Sequence, residues 1–418
     1  MDRLAIHGGD PVRRGEIDLK PALAPREMEL VSKVIESRRV SSIDGPMTPD
    51  FEEKFSSYIG TEHGVTTNSG TSALHVAMAA AGLGPGDEVI LPAYTYIASA
   101  TSILHCNAVP VFADILPGTL CIDPADLERR ITDRTRAVMP VHLFGHPAEM
   151  DEVLEIANEH DLVVVEDCAQ AHAAEYRGRR VGSIGDLGCF SFQRSKNMTG
   201  GEGGIVLTDD GEMADACRRM RQQGRVYGSG RPVYDRFSIG YNFRMTEMQA
   251  AMLLAQLESI EEFTATRIRN GERLDEELSR FEWITTPTTR PHARNVYHVY
   301  AIRVDVERLG MGRDGLVEAL VAEGIPARPG YDWPLHRHPV FAELIGFGGK
   351  RCPYECRYYR GKVQYGDGSH PVTDRVVSDT VWIASGWMVH NLNDRDIDDI
   401  ARAFEKIDAH AKGCSRGA

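Results

Sequence analysis

From residue 65 onward, short apolar runs alternate with longer stretches whose apolar positions recur every three or four residues. A short apolar run bounded by turn residues reads as a buried strand, and the three-to-four spacing reads as a helix with one apolar face. The segment GVTTNSGTSALHVAMAAAGLG opens as a strand and turns at Ser69, Gly70 and Thr71. It then enters an Ala-rich helix that Gly82 and Gly84 end. DEVILPAYTYIASATSILHCNA repeats the scheme, with strand EVIL, a Pro turn and then a helix. VPVFADI, TRAVMPVHLFG, LVVVEDCA, GCFSFQ and GGIVLTD read as further strands. Helices are expected over DPADLERRIT, with Asp123 as N-cap, and over MDEVLEIANEHD. Strands alternating with helices predict an α/β fold, with a mostly parallel central sheet covered on both faces. Ligands of such sheets sit at the carboxyl ends of the strands.

Two helical patterns, REMELVSKVIESRRV (26–40) and PDFEEKFSSYIG, precede this region, behind a stretch rich in Gly, Pro and charge. A long helical pattern over 246–281 leads out of it. Beyond lie strand-like YHVYAIRVD and TVWIASGWMV and helical GRDGLVEALVAEGI and DRDIDDIARAFEKIDAH. The expected organisation is an extended arm over 1–25, a large α/β domain over 26–259 and a smaller α+β domain over 260–418. Within the last, the Gly- and Pro-containing stretch 325–370 is long for a loop, and loops of that length usually serve function or move.

Composition narrows the function classes. The 418 residues are 42% hydrophobic and 26% charged, a globular balance with enough chain for a core that needs no staple. Asp and Glu number 61 against 47 Lys and Arg, a net charge of -14, which disfavours a nucleic-acid partner. No apolar run approaches the ~20 residues of a bilayer span, and the N-terminus lacks the apolar core of a secretory signal. Eight scattered cysteines, several in apolar runs, fit a reducing cytoplasm. One close pair, Cys352 and Cys356, lacks two further zinc ligands at motif spacing, since His370 alone does not supply them; no metal is expected. His336 and His338 form an HxH that reads as a loop feature.

Four features point to chemistry. Asp167 closes the apolar run 162–165 and so faces the crevice, with Gln170 three residues on. Lys196 lies between two apolar strands, directly before Gly200, Gly201, Gly203 and Gly204. A lysine in an apolar cavity has a lowered pKa and forms Schiff bases, and the glycines let backbone approach a ligand. Ser69-Gly70-Thr71-Ser72 at a strand-to-helix junction suits a phosphate. A lysine for an aldehyde, a carboxylate for a pyridine nitrogen and an anion site together describe pyridoxal 5′-phosphate.

The motifs NSGTSALHVA, GDEVILPAYTYIASA, PVHLFG, VVVEDCAQAHAA, GDLGCFSFQRSKNMTGGEGG and GYNFRMTEMQAAMLLAQL resemble those of the DegT/DnrJ/EryC/StrS-type aminotransferases of sugars and cyclitols. The SFQxxK form and EDCAQAHA are most similar to the glutamine:scyllo-inosose aminotransferases of that family. The resemblance implies a type I, aspartate-aminotransferase-like fold and a homodimer with shared active sites. It implies that Lys196 forms the internal aldimine, Asp167 holds the pyridine nitrogen, and Gln170 lies beside the ring. Gly70, Thr71 and Ser191 would bind phosphate, Tyr96 would stack on the ring, and Asn242 would reach the neighbouring subunit's phosphate. Arg244, Tyr331 and His336 are candidates for substrate binding, Arg244 as a fork for a carboxylate. The implied reaction is a ping-pong transamination from L-glutamine or L-glutamate to a keto-cyclitol or keto-sugar. Near the C-terminus, where such relatives carry paired histidines, this chain has Ile383-Ala384-Ser385-Gly386-Trp387-Met388. A nucleotide-linked keto-sugar acceptor, a dehydratase of the aminohydroxybenzoate synthase type and a non-catalytic regulator are the alternatives. Lys196, where sugar-deoxygenating relatives carry histidine, argues against deoxygenation.

Overall fold

The fold is that of a computed structural model describing residues 3–21, 23, 25–226, 233–234, 239–363, 365–366, 368–384 and 389–415. Seven strands form the main sheet: β1 (His63–Thr67), β2 (Glu88–Pro92), β3 (Val109–Ala113), β4 (Thr135–Val138), β5 (Val163–Asp167), β6 (Leu187–Ser191) and β7 (Gly204–Thr208). Their order is β1-β7-β6-β5-β4-β2-β3, and β7 alone runs against its neighbours. The connecting helices are α1 (Pro25–Ser37), α2 (Met47–Ile59), α3 (Gly70–Ala80), α4 (Ile97–His105), α5 (Pro124–Arg129), α6 (Met150–Glu159), α7 (Gly211–Arg221) and α8 (Glu247–Leu278).

The two-residue period of a strand explains how both faces are covered. Val89, Leu91, Val165, Leu187, Cys189 and Val206 join one core with α3 and α4. Their neighbours point the other way. Ile90, Val138 and Val164 pack against α5 and α6, while Phe190, Ile205 and Leu207 pack against α1, α2 and α8. Strands buried on both sides can be apolar throughout, which is why these runs lack a polar alternation. Helix ends follow side-chain chemistry: Asp123 caps α5 by accepting from Ala125 N at 3.0 Å. Thr246 and Gln249 form a capping box at the start of α8.

A second, antiparallel sheet combines β8 (Ile284–Thr285), β9 (Tyr300–Val304), β10 (Ala327–Pro329) and β11 (Thr380–Ile383) in the order β8-β9-β11-β10. It shares a core with the far end of α8, through Leu274 and Leu278, and with α9 (Arg313–Ala322) and α11 (Asp394–Ser415). Helix α10 (Pro371–Asp379) precedes β11. Of the strand expected over 380–389, only residues 380–383 form one, and Ser385–Met388 lie outside the described residues.

Two stretches differ from expectation. The arm does not stay extended. Leu4 and Ile17 are buried in the second core, and the Glu323 carboxylate accepts from Ala5 N at 2.8 Å and Val12 N at 3.0 Å. The long stretch before α10 is packed rather than loose. Leu335, Phe341, Tyr354 and Tyr359 enter the core that holds α3 and α4, and the Tyr359 hydroxyl donates to Glu88 at 2.7 Å. The Tyr365 hydroxyl donates to Pro110 O on β3, so the stretch covers the sheet's edge strand. Among the described residues, no helix is long and apolar enough to cross a membrane.

Candidate active site

A cavity of about 620 Å³ opens where the ends of β1, β5 and β6 face the second sheet. Its first wall comes from strand ends. Asp167, the last residue of β5, is buried, and its backbone is pinned by Asp167 N donating to Pro140 O at 2.9 Å. The Ser99 hydroxyl on α4 donates to its Oδ2 at 2.8 Å, and Ala169 N donates to Oδ1 at 3.1 Å. Two donors fix the orientation of the carboxylate.

Lys196 belongs to the turn between β6 and β7. The turn is fixed by Phe192 N to Gly203 O at 2.8 Å, Arg194 N to Gly201 O at 2.9 Å and Lys196 N to Gln193 O at 2.8 Å. Gly201, at φ +81°, and Gly203, at φ +144°, supply the backbone that side-chain-bearing residues avoid. Desolvation pulls the Lys196 ammonium down to about 8, against the opposing pull of Asp167. Nearby, burial pushes His172 down to about 3 and His298 well below its ordinary value, and the charge of Lys196 adds to both shifts. Both imidazoles are therefore neutral beside the amine. His298 Nδ1 pairs with Asn197 Oδ1 at 2.9 Å.

Next to Lys196, β6 ends at buried Ser191 against the start of α3. Ser69 caps α3 by accepting from Ser72 N at 3.1 Å, leaving the first-turn N–H groups of the helix at the cavity wall. The approach demands glycine. A Cβ on Gly70 would lie 2.5 Å from the Ser191 Cβ, and one on Gly204 would lie 2.4 Å from Ser69 O. Tyr96, 57% exposed, stands on the wall at the N-cap of α4.

The second wall comes from the antiparallel sheet. Arg328 and Trp382 are cross-strand partners of β10 and β11, and the guanidinium carbon lies 4.2 Å from the indole centroid. Tyr331 packs edge-on against Trp382, at 5.1 Å, and Tyr94, at 5.3 Å. Gln170 joins the walls: its Nε2 donates to the Tyr331 hydroxyl at 3.0 Å, and its Oε1 accepts from Phe144 N at 3.0 Å.

Of the residues singled out in the sequence, Gly70, Thr71, Tyr96, Asp167, Gln170, Ser191, Lys196 and Tyr331 line this one cavity. Asn242, Arg244 and His336 do not. Asn242 is exposed, in a bridge to Gln222, and Arg244 is half-buried beside it. His336 is packed into the core. Its ring is buried against His370 at 4.3 Å and hydrogen-bonds Asp374 at 3.1 Å, so it is held in packing away from the cavity. His338 caps a short turn by accepting from Val340 N at 3.3 Å. Cys352 and Cys356 belong to neither group of three close metal-ligating side chains found among the described residues, His142-Glu166-Cys168 and Glu128-Glu159-His160. In the first group Glu166 is already saturated, bonded to His142 at 2.9 Å and to the N–H groups of Gly182, Ile184 and Gly185. Ser99, His298, Arg328 and Trp382 were not foreseen. Ser99 alone left a signal, as the hydroxyl in the first turn of the helix after the Pro turn.

The model of the DegT/DnrJ/EryC1/StrS aminotransferase family matches residues 21–355. The chain is 37% identical over 424 aligned residues to an L-glutamine:2-deoxy-scyllo-inosose aminotransferase of Streptomyces paromomycinus, covering 97% of this chain and 98% of that one. It is 42% identical over 332 residues to a GDP-perosamine synthase of Caulobacter vibrioides, covering 78% and 86%. A crystal structure of DesV from S. venezuelae in complex with a ketimine intermediate superposes with a TM-score of 0.80 at 33% identity, covering 91% and 94%. The chain belongs to the DegT/DnrJ/EryC1/StrS aminotransferase family, and it is an aminotransferase with the type I pyridoxal-phosphate-dependent fold.

Proposed function

We propose that this aminotransferase holds pyridoxal 5′-phosphate in the 620 Å³ cavity and moves an amino group from L-glutamine, or L-glutamate, to a keto-cyclitol or keto-sugar. One observation bears most of the weight. A desolvated lysine amine and a doubly hydrogen-bonded aspartate share a cavity whose wall also holds a glycine-tight helix start. That donor set fits the cofactor's aldehyde, pyridine nitrogen and phosphate in turn. When bound, the cofactor supplies the carbonyl that takes up the amino group and the ring that accepts the electrons released at Cα.

The residues divide the work. Asp167, oriented by Ser99 and Ala169, would pair with the pyridine nitrogen and hold a proton there. Gly70, Thr71 and Ser191 would hold the phosphate, and Tyr96 and Gln170, the latter fixed by Phe144 N and the Tyr331 hydroxyl, would serve the ring. Lys196 Nζ, with its pKa lowered to about 8, would take the proton from the donor Cα and return it to the former aldehyde carbon of the cofactor, two atoms along. Neutral His172 and His298 add no second cation near Lys196.

We also propose a homodimer. Met28, Ile35, Val40, Ile43, Tyr241 and Met248 are exposed apolar side chains on α1, the turns that follow it and the approach to α8. Exposed Asn242 lies among them, where it is free to serve a neighbour's site. The inosose relative, alignable over 97% of this chain, supports a cyclitol acceptor. The 42% identity to GDP-perosamine synthase favours a nucleotide-linked keto-sugar as the second reading. A half-reaction screen separates them. Protein loaded with pyridoxamine phosphate is mixed with each ketone, and return of visible absorbance marks the acceptor. Failure of every keto-cyclitol and keto-sugar, with amino acids still exchanging amino groups, would overturn the acceptor assignment.

A further inference from the structure

A second cavity lies at the junction of the two sheets, behind the wall of the first. It measures about 30 Å³, room for about two waters or one small ion. Along 299–304 the two-residue period of a strand builds one side of it. Tyr300, Ile302 and Val304 enter the second core, while Val299, Ala301 and Arg303 face the cavity. Arg303 is the cross-strand partner of Thr285, and the chain leaving β8 adds Thr286 and Thr288 to the same side. Other polar groups here are already used. Asn295 Nδ2 donates to Thr289 Oγ1 at 3.2 Å, and its Oδ1 accepts from Tyr297 N at 3.1 Å. Both ring nitrogens of His146 are taken, by Pro147 O at 2.7 Å and Arg290 N at 3.1 Å. One kind of chemistry is left. Among the described residues, the Arg303 guanidinium and the hydroxyls of Thr285, Thr286 and Thr288 have no hydrogen-bond or ion-pair partner, and no carboxylate lines the cavity. Elsewhere in this chain of net charge -14, partly buried arginines such as Arg13, Arg221 and Arg294 are paired with carboxylates. Desolvation works against the charge of Arg303, and Arg375 opposes it further, while Asp379 favours it from beyond bonding distance.

We propose that this second cavity binds a small oxyanion, a free phosphate or the phosphate group of a metabolite, with Arg303 pairing with two of its oxygens and the threonine hydroxyls donating to the others. A planar fork and three hydroxyls match an ion with several acceptor oxygens, and the absence of a carboxylate removes the repulsion such an ion meets elsewhere on an acidic surface. Exposed Thr285 marks the mouth, so a phosphate ester can leave its organic part in water. The site is separate from the cofactor phosphate site assigned above to Gly70, Thr71 and Ser191, which line the larger cavity. The two cavities share a partition. Val299 lines both, and Phe144 lines the smaller one while its N–H holds Gln170 on the wall of the larger at 3.0 Å. An occupant therefore packs against the partition that carries Gln170.

Protein kept saturated with cofactor, so that the larger cavity offers no phosphate site, is titrated calorimetrically with inorganic phosphate and with methyl phosphate in buffer free of phosphate and sulfate. Wild type should bind one phosphate per chain. Arg303→Gln should weaken binding by about tenfold or more, the scale of a lost charge-assisted pair, and Arg303→Lys should restore only part, because an ammonium lacks the planar fork. Thr288→Val should weaken it by about three- to tenfold, the range for one hydrogen bond. Turnover of each variant in phosphate-free buffer should stay within about twofold of wild type, which shows the fold intact. Methyl phosphate that binds as tightly as phosphate points to the head group of a larger metabolite, and binding of inorganic phosphate alone points to the free ion; either result supports the site. In crystals soaked with selenate, an anomalous peak should lie within hydrogen-bonding distance of the Arg303 guanidinium. Absence of phosphate binding in wild type, binding unchanged in Arg303→Gln, or a cavity that holds only water in the soaked crystals overturns the proposal. If Arg303→Gln does not fold, Thr288→Val decides, and unchanged binding there overturns it.

Discussion

The two walls of the cavity are built on different principles. On the first, Asp167, Ser191, Lys196, Gly70 and Thr71 sit at strand ends or in the turns directly after them, within a few residues of an apolar run. On the second, Arg328, Tyr331 and Trp382 meet because an antiparallel pairing brings residue 328 opposite residue 382. Under the proposed function the first wall supplies an amine, a carboxylate and a helix start for the phosphate, which are the parts that any substrate of this chemistry needs. The second supplies aromatic surface and one guanidinium, which are parts that recognise a particular molecule. Substitutions on the first wall should therefore abolish both half-reactions, and a substitution on the second that removes a contact to one substrate alone should separate one from the other.

Lys196→Ala is expected to have the largest effect. It removes both the amine and the proton carrier, and turnover should fall by at least about a thousandfold, in both directions, with the fold retained. Stopped-flow measurement of each half-reaction checks this, and borohydride reduction of wild type followed by peptide mapping should place the cofactor at Lys196. Turnover near the wild-type level in the variant would end the assignment. Asp167→Asn comes next. The amide keeps the shape but cannot hold a proton on the pyridine nitrogen, and proton transfer at Cα should slow by about a hundredfold, the scale of two lost pKa units. A primary deuterium isotope effect that grows in the variant would locate the loss at that step; equal single-turnover rates would contradict it.

The contrast between the walls also explains what could be read from the sequence. Asp167 and Lys196 were visible because each follows a run of apolar residues, and such runs fix strand ends without help from distant chain. Arg328 was invisible for the opposite reason. Its place on the wall depends on a register with Trp382, and no local pattern encodes a pairing across fifty residues. Arg244 drew attention through its motif, yet a motif states proximity along the chain and not which surface a side chain lines. The same limit applies to Leu4 and to Tyr359. Each is an apolar residue in a Gly-, Pro- or charge-rich context, where composition suggests an arm or a loop. Each is nonetheless buried by a partner more than two hundred residues away.

The lowered pKa of Lys196 gives a smaller effect that acts on the first wall alone. Desolvation disfavours the ammonium, so the amine is neutral from a lower pH than an ordinary lysine. With a value of about 8, the neutral fraction should rise about tenfold between pH 7 and pH 9 and then level off. In cofactor-free protein, the rate at which Lys196 captures a small aldehyde should follow that curve, read by mass spectrometry after reduction. A rate still climbing past pH 10, as for solvated lysine, would show that the cavity leaves the amine unperturbed.

Tyr331→Phe tests the junction of the two walls and should have the smallest effect. The ring keeps its packing against Tyr94 and Trp382, and only the hydroxyl is lost. Gln170 then loses one of its two tethers, because Phe144 N still donates to its Oε1. A neutral hydrogen bond contributes about 1 kcal/mol, and here water in the cavity can replace the lost acceptor, so kcat/KM should fall by about two- to fivefold. The loss should be shared equally by the donor and ketone half-reactions, since Gln170 neighbours the group common to both. That equality is the discriminating feature. A hydroxyl that touched the donor or the acceptor directly would slow one half-reaction only, and Tyr331 would then belong among the residues that choose the substrate rather than those that hold the cavity together.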